Sequence, residues 1–339
     1  MPDSIGITSE TLSRMTQSYD AVIVVSFGGP EGPDDVLPFL ENVTRGRNVP
    51  PERLQVVARQ YERFGGVSPI NGQNRALVVA LDAELARAGH SLPVYWGNRN
   101  WHPYLADTVR QMRDDGVERA LAFVTSGYSS YSSCRQYLEN IETARELVGP
   151  GAPRIEKLRQ FYDHPGYIGP FARNLRDALL PGAHVAFTAH SLPTAMAEKS
   201  DYVAQLHETA RLVAGRAAPD HAYAVVYQSR SGAPNQPWLE PDIGAHIDAL
   251  AAEGVPAVVV VPSGFVSDHM EVVYDLDVIA AERARAAGIA FARAATPDTD
   301  PEFVAMIREL IEERLDPSRE RRALGTLGVR PDVCPGCCT

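Results

Sequence analysis

"HVAFTAHSLP", residues 184–193, decides how the rest of the chain is read. Residues Val185 to Ala189 are small, β-branched or aromatic, the texture of a strand buried on both faces. The run then stops at His190, Ser191 and a proline-locked turn. In open α/β sheets, ligands bind beyond the carboxyl ends of the strands. A buried strand that ends on an imidazole is therefore expected to end at a site.

The same texture recurs on either side. "AVIVVSF" (21–27), "PVYWGN" (93–98), "RALAFVTS" (119–126) and "RIEKLRQF" (154–161) read as strands, and so do "HVAFTAH" (184–190), "AYAVVYQS" (222–229), "PAVVVVPS" (256–263) and "IAFARA" (289–294). Between them, "GPDDVLPFLENVT", "NRALVVALDAELARAG", "YLADTVRQMRDDG" and "CRQYLENIETARELVG" carry helical periodicity. "YVAQLHETARLVAG", "DIGAHIDALAAEG" and "VVYDLDVIAAERARAAG" do the same in the second half. Two sets of alternating βα units predict an α/β protein with two parallel sheets, each flanked by helices. The turn-rich "FYDHPGYIGP" (161–170) is the expected seam, giving domains 1–164 and 165–315 and a tail 316–339. Five strand ends, "SFGGP", "TSGYSS", "AHSLP", "YQSRSG" and "PSGFVSDH", are then placed to face one cleft between the halves.

A chain of 339 residues exceeds what one core usually organises. Its 45% hydrophobic and 22% charged residues are ordinary for a globular protein. A net charge of −11 excludes nucleic acid as the main partner, which needs a basic surface. No apolar run reaches the about 18 residues of a membrane span. The opening "MPDSIGITSETLSRMTQSYD" lacks the basic and apolar regions of a signal peptide, so a cytoplasmic protein with a short polar leader and no stable membrane insertion is expected. Three of the four cysteines, Cys334, Cys337 and Cys338, crowd into the last six residues, and Cys134 lies far upstream. In a reducing compartment, clustered thiols more often bind metal than form disulfides.

Two segments carry candidate chemistry. The glycine-rich turn "SFGGPEGP" (26–33) lacks the G-x-G-x-x-G spacing, and Pro30 and Pro33 remove amide donors, so it is no phosphate loop. "GFVSDHMEVVYDLD" (264–277) opens a helix with Glu271, Asp275 and Asp277. Glu271 and Asp275, four apart, share a helical face. Phe265, Val266, Met270, Val272 and Val273 around them predict a cleft rather than an open surface. A neutral imidazole opposite such a carboxylate takes protons or binds a borderline divalent metal.

"FTAHSLP", "PWLEPD" (237–242), "VPSGFVSDHMEVVYDLD" (261–277) and "ARQYERFGGVSPINGQ" (58–73) together strongly resemble the ferrochelatase family, over about residues 20–315. The resemblance implies the class II chelatase fold: two Rossmann-like domains with a porphyrin cleft between them. It also implies insertion of Fe(II) into a porphyrin in haem biosynthesis, with release of two protons. His190 and Glu271 take the positions of the family's cleft pair, as proton acceptor or as ligands of the substrate iron. Ile279 stands where a third carboxylate often lies, so the acidic path of Asp275 and Asp277 would end at Asp275 or use Asp277. Phe27 replaces a tyrosine common in bacterial relatives and cannot offer an axial oxygen. His269, beside Asp268, is expected only to orient its neighbours. Ser68 and Tyr137 match substrate-contacting positions, with Tyr131 as a substitute. Arg45 and Arg47 are candidates to pair with propionates, bidentately as guanidinium allows.

Those arginines, and the lack of a greasy docking extension, favour coproporphyrin III over protoporphyrin IX. The rival readings are a non-catalytic tetrapyrrole or metal carrier and a cobalt or nickel chelatase of related fold. A carrier needs no proton acceptor opposite a carboxylate. The resemblance extends to relatives in which one internal and three C-terminal cysteines hold a [2Fe–2S] cluster; here these would be Cys134, Cys334, Cys337 and Cys338. Zinc is the competing occupant. A monomer making transient contact with neighbouring haem-pathway enzymes is expected.

Overall fold

The computed structural model describes residues 18–232, 235–333 and 336. The first half runs β1 (Ala21–Ser26), α1 (Pro33–Val43), α2 (Pro51–Glu62), α3 (Ile70–Arg87), β2 (Val94–Asn98), α4 (Leu105–Asp114) and β3 (Arg119–Val124). A π-helical turn, Tyr131–Arg135, then leads into α5 (Gln136–Val148) and β4 (Arg154–Lys157). The second half begins with α6 (Pro165–Ala178), β5 (Ala183–His190), α7 (Tyr202–Ala217), β6 (Tyr223–Gln228), α8 (Ile243–Ala252) and β7 (Ala257–Val261). One helical turn, Met270–Val272, widens into a π-helical stretch, Val273–Ala280, and continues as α9 (Ala281–Ala287). β8 (Ala290–Arg293) and α10 (Pro301–Leu315) complete it.

The strands form two four-stranded parallel sheets, β2-β1-β3-β4 and β6-β5-β7-β8. The two orders are the same, so the repetition read from strand spacing is also a repetition of topology. The central strands β1 and β7 are buried at every residue. Helices on both faces explain their unbroken β-branched runs, which have no polar face to present.

One apolar core spans both halves. Val22, Val24 and Phe123 of the first sheet join Val185, Phe187 and Val259 of the second, around Phe161, Tyr167 and Phe303. Three helices went unread in the sequence: α2, α6 and α10. The seam segment 161–170 is only half loop. Pro165 occupies the first turn of α6, and the ring of His164 accepts from the Gly166 N–H. Its glycines mark helix packing rather than a turn. A Cβ on Gly166 would lie 2.6 Å from the Glu302 carbonyl oxygen on α10.

Beyond α10 the chain returns as a strap. Leu324 donates its N–H to the Asp163 carbonyl at 2.9 Å, and Arg159 donates to the Arg322 carbonyl at 2.9 Å. The cysteines Cys334, Cys337 and Cys338 lie outside the described residues. Among the described residues no helix is long and apolar enough to cross a membrane.

Candidate active site

Ladder pairing brings His190 to the rim. β5 pairs with β7 only as far as Phe187↔Val261, whereas its pairing with β6 continues to His190↔Gln228. The loop after β7 folds back onto the exposed end of β5, with the Gly264 N–H donating to the Thr188 carbonyl at 2.9 Å. A Cβ at Gly264 would come 2.7 Å from the Ala189 Cα, so only glycine allows this approach. The segment bearing Glu271 is thereby carried across to His190.

The imidazole is fixed at both nitrogens. Nδ1–H donates to the Ser191 carbonyl oxygen at 2.5 Å, and Nε2 lies 3.4 Å from Glu271 Oε1. Gln228 donates from Nε2 to the Glu271 carbonyl at 2.7 Å, and His269 Nδ1 accepts from the Glu271 N–H. Accepting requires a neutral ring at His269, and its burial pushes that imidazole below its ordinary value. His269 thus orients Glu271, the role expected of it.

Burial alone would lower the pKa of His190, but the facing Glu271 carboxylate, the Ser191 carbonyl and Asp275 outweigh it and raise it to about 9. Glu271 is held below the usual carboxylate range: burial opposes this, and the His190 charge overcomes it. At neutral pH the two form an imidazolium–carboxylate pair.

Asp275 lies one turn further on, accepting from the Ser229 hydroxyl. Burial pushes its carboxyl up to about 6; the Ser229 bond opposes this and the Glu271 charge adds to it. A pocket of about 240 Å³ opens beside it, lined in part by Gln228, Ser229, Asp242 and Ile279. Asp277 faces elsewhere. Its carboxylate is held by Arg293 at 2.5 and 3.0 Å, and Asp268 also binds that guanidinium. Residues two apart leave opposite sides of a helix, so Asp277 lies on the β8 side, away from Asp275.

The first half supplies the opposite wall. Met270, next to Glu271, packs with Val36, Phe39, Tyr61 and Trp101, and Phe27 and Tyr274 border this cluster. Burial and the Glu271 charge raise the Tyr61 phenol. Phe27 sits edge-on to Phe39 at 6.3 Å. Ser68 is buried against the Gly29 turn. Tyr137 is buried, with the Arg99 guanidinium 4.6 Å from its ring centre and 5.7 Å from that of Phe27. Tyr131 is tied to Glu139 by a 2.9 Å hydrogen bond. Arg45 and Arg47 are exposed, and no carboxylate partner for them is found among the described residues. Sequence reasoning missed Arg99 and Tyr61. Both lie beyond the quoted strand ends, and only the fold brings them to the wall.

Cys134 is buried on the π turn, its sulfur accepting from Gln160 Nε2 at 2.9 Å. Among the described residues no group of three or more His, Cys, Asp or Glu side chains is placed to hold a metal ion.

Paired parallel sheets with a polar rim between them are found in solved chelatases. SirB from Bacillus subtilis, a structure with Fe3+, superposes with a TM-score of 0.54 at 12% identity, covering 88% of this chain and 99% of that one. CbiX, the terminal enzyme of sirohaem biosynthesis in denitrifying bacteria, does so with a TM-score of 0.50 at 15% identity, covering 87% and 100%. The fold is thus that of the class II chelatases. Within that class the chain belongs to the ferrochelatase family, whose sequence pattern matches residues 19–315. A ferrochelatase of Rhodopirellula baltica is 55% identical over 331 residues, covering 94% of this chain and 93% of that protein. The coproporphyrin III ferrochelatases of Streptomyces coelicolor and Mycolicibacterium smegmatis are each 52% identical, covering 94% of this chain and 93% and 95% of theirs.

Proposed function

We propose that the cleft inserts Fe(II) into coproporphyrin III to give Fe-coproporphyrin III, with His190 and Glu271 as the insertion pair. The observation that carries this reading is the 3.4 Å approach of His190 Nε2 to Glu271 at the rim between the two sheets. The halves 1–164 and 165–315 act as walls that bend the porphyrin so that its pyrrole nitrogens point at this pair. Remote contacts supply that strain. An arriving Fe(II) displaces the Nε2 proton of His190, because a metal-ligating imidazole must be neutral. The displaced proton passes through Glu271 to Asp275 beside the solvent-open pocket, and the pyrrole protons follow through Glu271 and, once the iron has left it, the neutral Nε2 of His190. The raised carboxyl of Asp275 accepts and releases protons near neutrality. Phe27 packs on the macrocycle face without ligating iron.

The named substrate of the Streptomyces coelicolor and Mycolicibacterium smegmatis relatives favours coproporphyrin. Two exposed guanidiniums, Arg45 and Arg47, stand ready for propionates. Anaerobic protein given Fe(II) with each porphyrin should change the visible spectrum fastest with coproporphyrin III. Equal rates with protoporphyrin IX would overturn the substrate assignment. Porphyrin binding without iron insertion would leave a carrier.

We further propose that Cys134, Cys334, Cys337 and Cys338 hold a [2Fe–2S] cluster. A buried thiol that accepts from a side-chain amide donor suits a cluster thiolate, since such donors stabilise the sulfur's charge. The strap also passes Arg159, next to Gln160, at Arg322. A bound cluster would supply a cross-link between the tail and the first half. Cys134→Ser should lose the reddish-brown colour and two acid-labile sulfides per chain, and should melt at lower temperature. A colourless or zinc-loaded wild type, prepared without oxygen, would overturn the cluster and leave the chelatase reading standing.

A further inference from the structure

Helix α7 touches three parts of the molecule that are distant in sequence. Leu206, Ala210 and Val213 bury it in the shared core. Gln205 accepts from the Ser129 N–H at 2.7 Å and donates to the Ser129 hydroxyl at 2.9 Å. Ser129 directly precedes Ser130, the cap of the π turn that bears Cys134. Glu208 accepts from the N–H of Thr326 on the strap at 2.6 Å and from its hydroxyl at 3.1 Å. Asp201, just ahead of the helix, is paired with Arg330 of the strap at 2.8 Å. The next residue, Tyr202, donates its phenol to the carbonyl oxygen of His190 at 3.0 Å.

Two of these contacts stand where ordinary backbone arrangements are missing. His190 lies three residues past the last β5–β7 partner, Phe187, so its carbonyl has no ladder partner on that side. The Tyr202 phenol supplies a donor to this part-buried carbonyl. Aspartate at a helix start normally caps the first N–H groups. Asp201 makes no such bond, and its carboxylate is turned to Arg330 instead. The start of α7 is therefore fixed from outside the helix. Arg330 is itself braced, since Arg321 donates to its carbonyl at 3.0 Å and pairs with Asp332 at 2.7 Å.

We propose that Tyr202 is a positioning residue for His190, and that the C-terminal strap sets Tyr202 through the Arg330–Asp201 pair. Strap and active site form one linked unit, with α7 as the link. Loss of the Arg330 pair frees Asp201 to cap its own helix, rotates the first turn and slackens the phenol's hold on the His190 carbonyl. The imidazole then loses its alignment with Glu271 while the porphyrin walls stay intact.

The test uses the full chain carrying Tyr202→Phe, Arg330→Gln or both. Tyr202→Phe keeps the ring that packs 6.0 Å from Tyr128 and removes only the donor. Its kcat should fall about three- to tenfold, the worth of one hydrogen bond, with KM for porphyrin unchanged. Arg330→Gln should lower kcat by a smaller factor and shift the His190 ring resonances in the porphyrin-free protein in the same direction as Tyr202→Phe. The double variant should match Tyr202→Phe alone, because both changes act through one contact. Losses that multiply independently, or kcat and KM changing together, would overturn the link. Unmoved His190 resonances in both single variants would do so too. The kcat arm rests on the proposed insertion reaction, whereas the resonance arm does not. A wild type without turnover would therefore fail the proposed function, and the spectra would still decide the role of Tyr202.

Discussion

At the scale of the residue, the site is an ion pair between His190 and Glu271. His190 carries its raised pKa because a carboxylate and a carbonyl face its two nitrogens. A group raised from its ordinary value of about 6.5 lends stability that is fully present below that pH and is lost as pH rises through about 9. Metal binding runs the other way, since it must expel the proton. Affinity for Zn(II), a redox-inert probe, should rise close to tenfold per pH unit between about 7 and 9, with proton release visible by calorimetry. An affinity flat over that range would mean that Nε2 is not a ligand. His190→Ala should abolish iron insertion while porphyrin still binds, and Glu271→Gln should lower turnover severely with binding kept. Wild-type turnover in either variant would remove the pair from the reaction.

At the scale of the element, the wide helix after Met270 decides which carboxylates share the cleft. On the stretch Val273–Ala280, Asp275 meets Ser229 and Asp277, two residues on and so on the opposite side, meets Arg293. Asp275 bears a cost for its position. Its carboxyl is raised from 3.8 to about 6, so its charged form is disfavoured in the fold. That penalty is absent below the unfolded value, grows as pH rises through the window between the two values, and is full above about 6. Asp275→Asn should therefore stabilise the protein at pH 7.5 by on the order of 1 kcal/mol and leave it unchanged near pH 3.5. Its iron insertion should slow, since the proton route loses its last carboxylate. Equal melting temperatures of the variant and wild type across that range would refute the raised carboxyl.

At the scale of the whole molecule, one buried ion pair joins the strap, the end of α10 and the exit from β4. Arg159 meets Glu313 through Nε and Nη2 at 2.7 and 2.8 Å, with both side chains almost wholly buried. The same guanidinium holds the Arg322 carbonyl. Removing one partner of such a pair leaves an uncompensated buried charge, at a cost of about 3–5 kcal/mol. Glu313→Gln should lose stability of that order in urea denaturation and should open the strap to protease before the core unfolds. A loss below about 1 kcal/mol would place the strap's anchorage elsewhere.

Much of this protein was legible in residue order. Both sets of four strands, the helices between them and the cleft at their ends follow from local periodicity, because a strand covered on two faces admits only apolar residues. His190 and Glu271 stood out because polar groups interrupt such runs only where something holds them. Helices α2, α6 and α10 were not legible. Their glycines, prolines and charges answer to partners distant in sequence, as Gly166 does to Glu302. The partner of Asp277 was not legible for a similar reason: the sequence shows the carboxylate but not the distant Arg293 that it meets. The Arg99 stack on Tyr137 and the Tyr202 bond to His190 join segments 38 and 12 residues apart. Sequence alone determined which segments are buried and where they end. Tertiary structure decided which of the exposed groups meet, because that depends on where separate elements come to rest and not on any local preference.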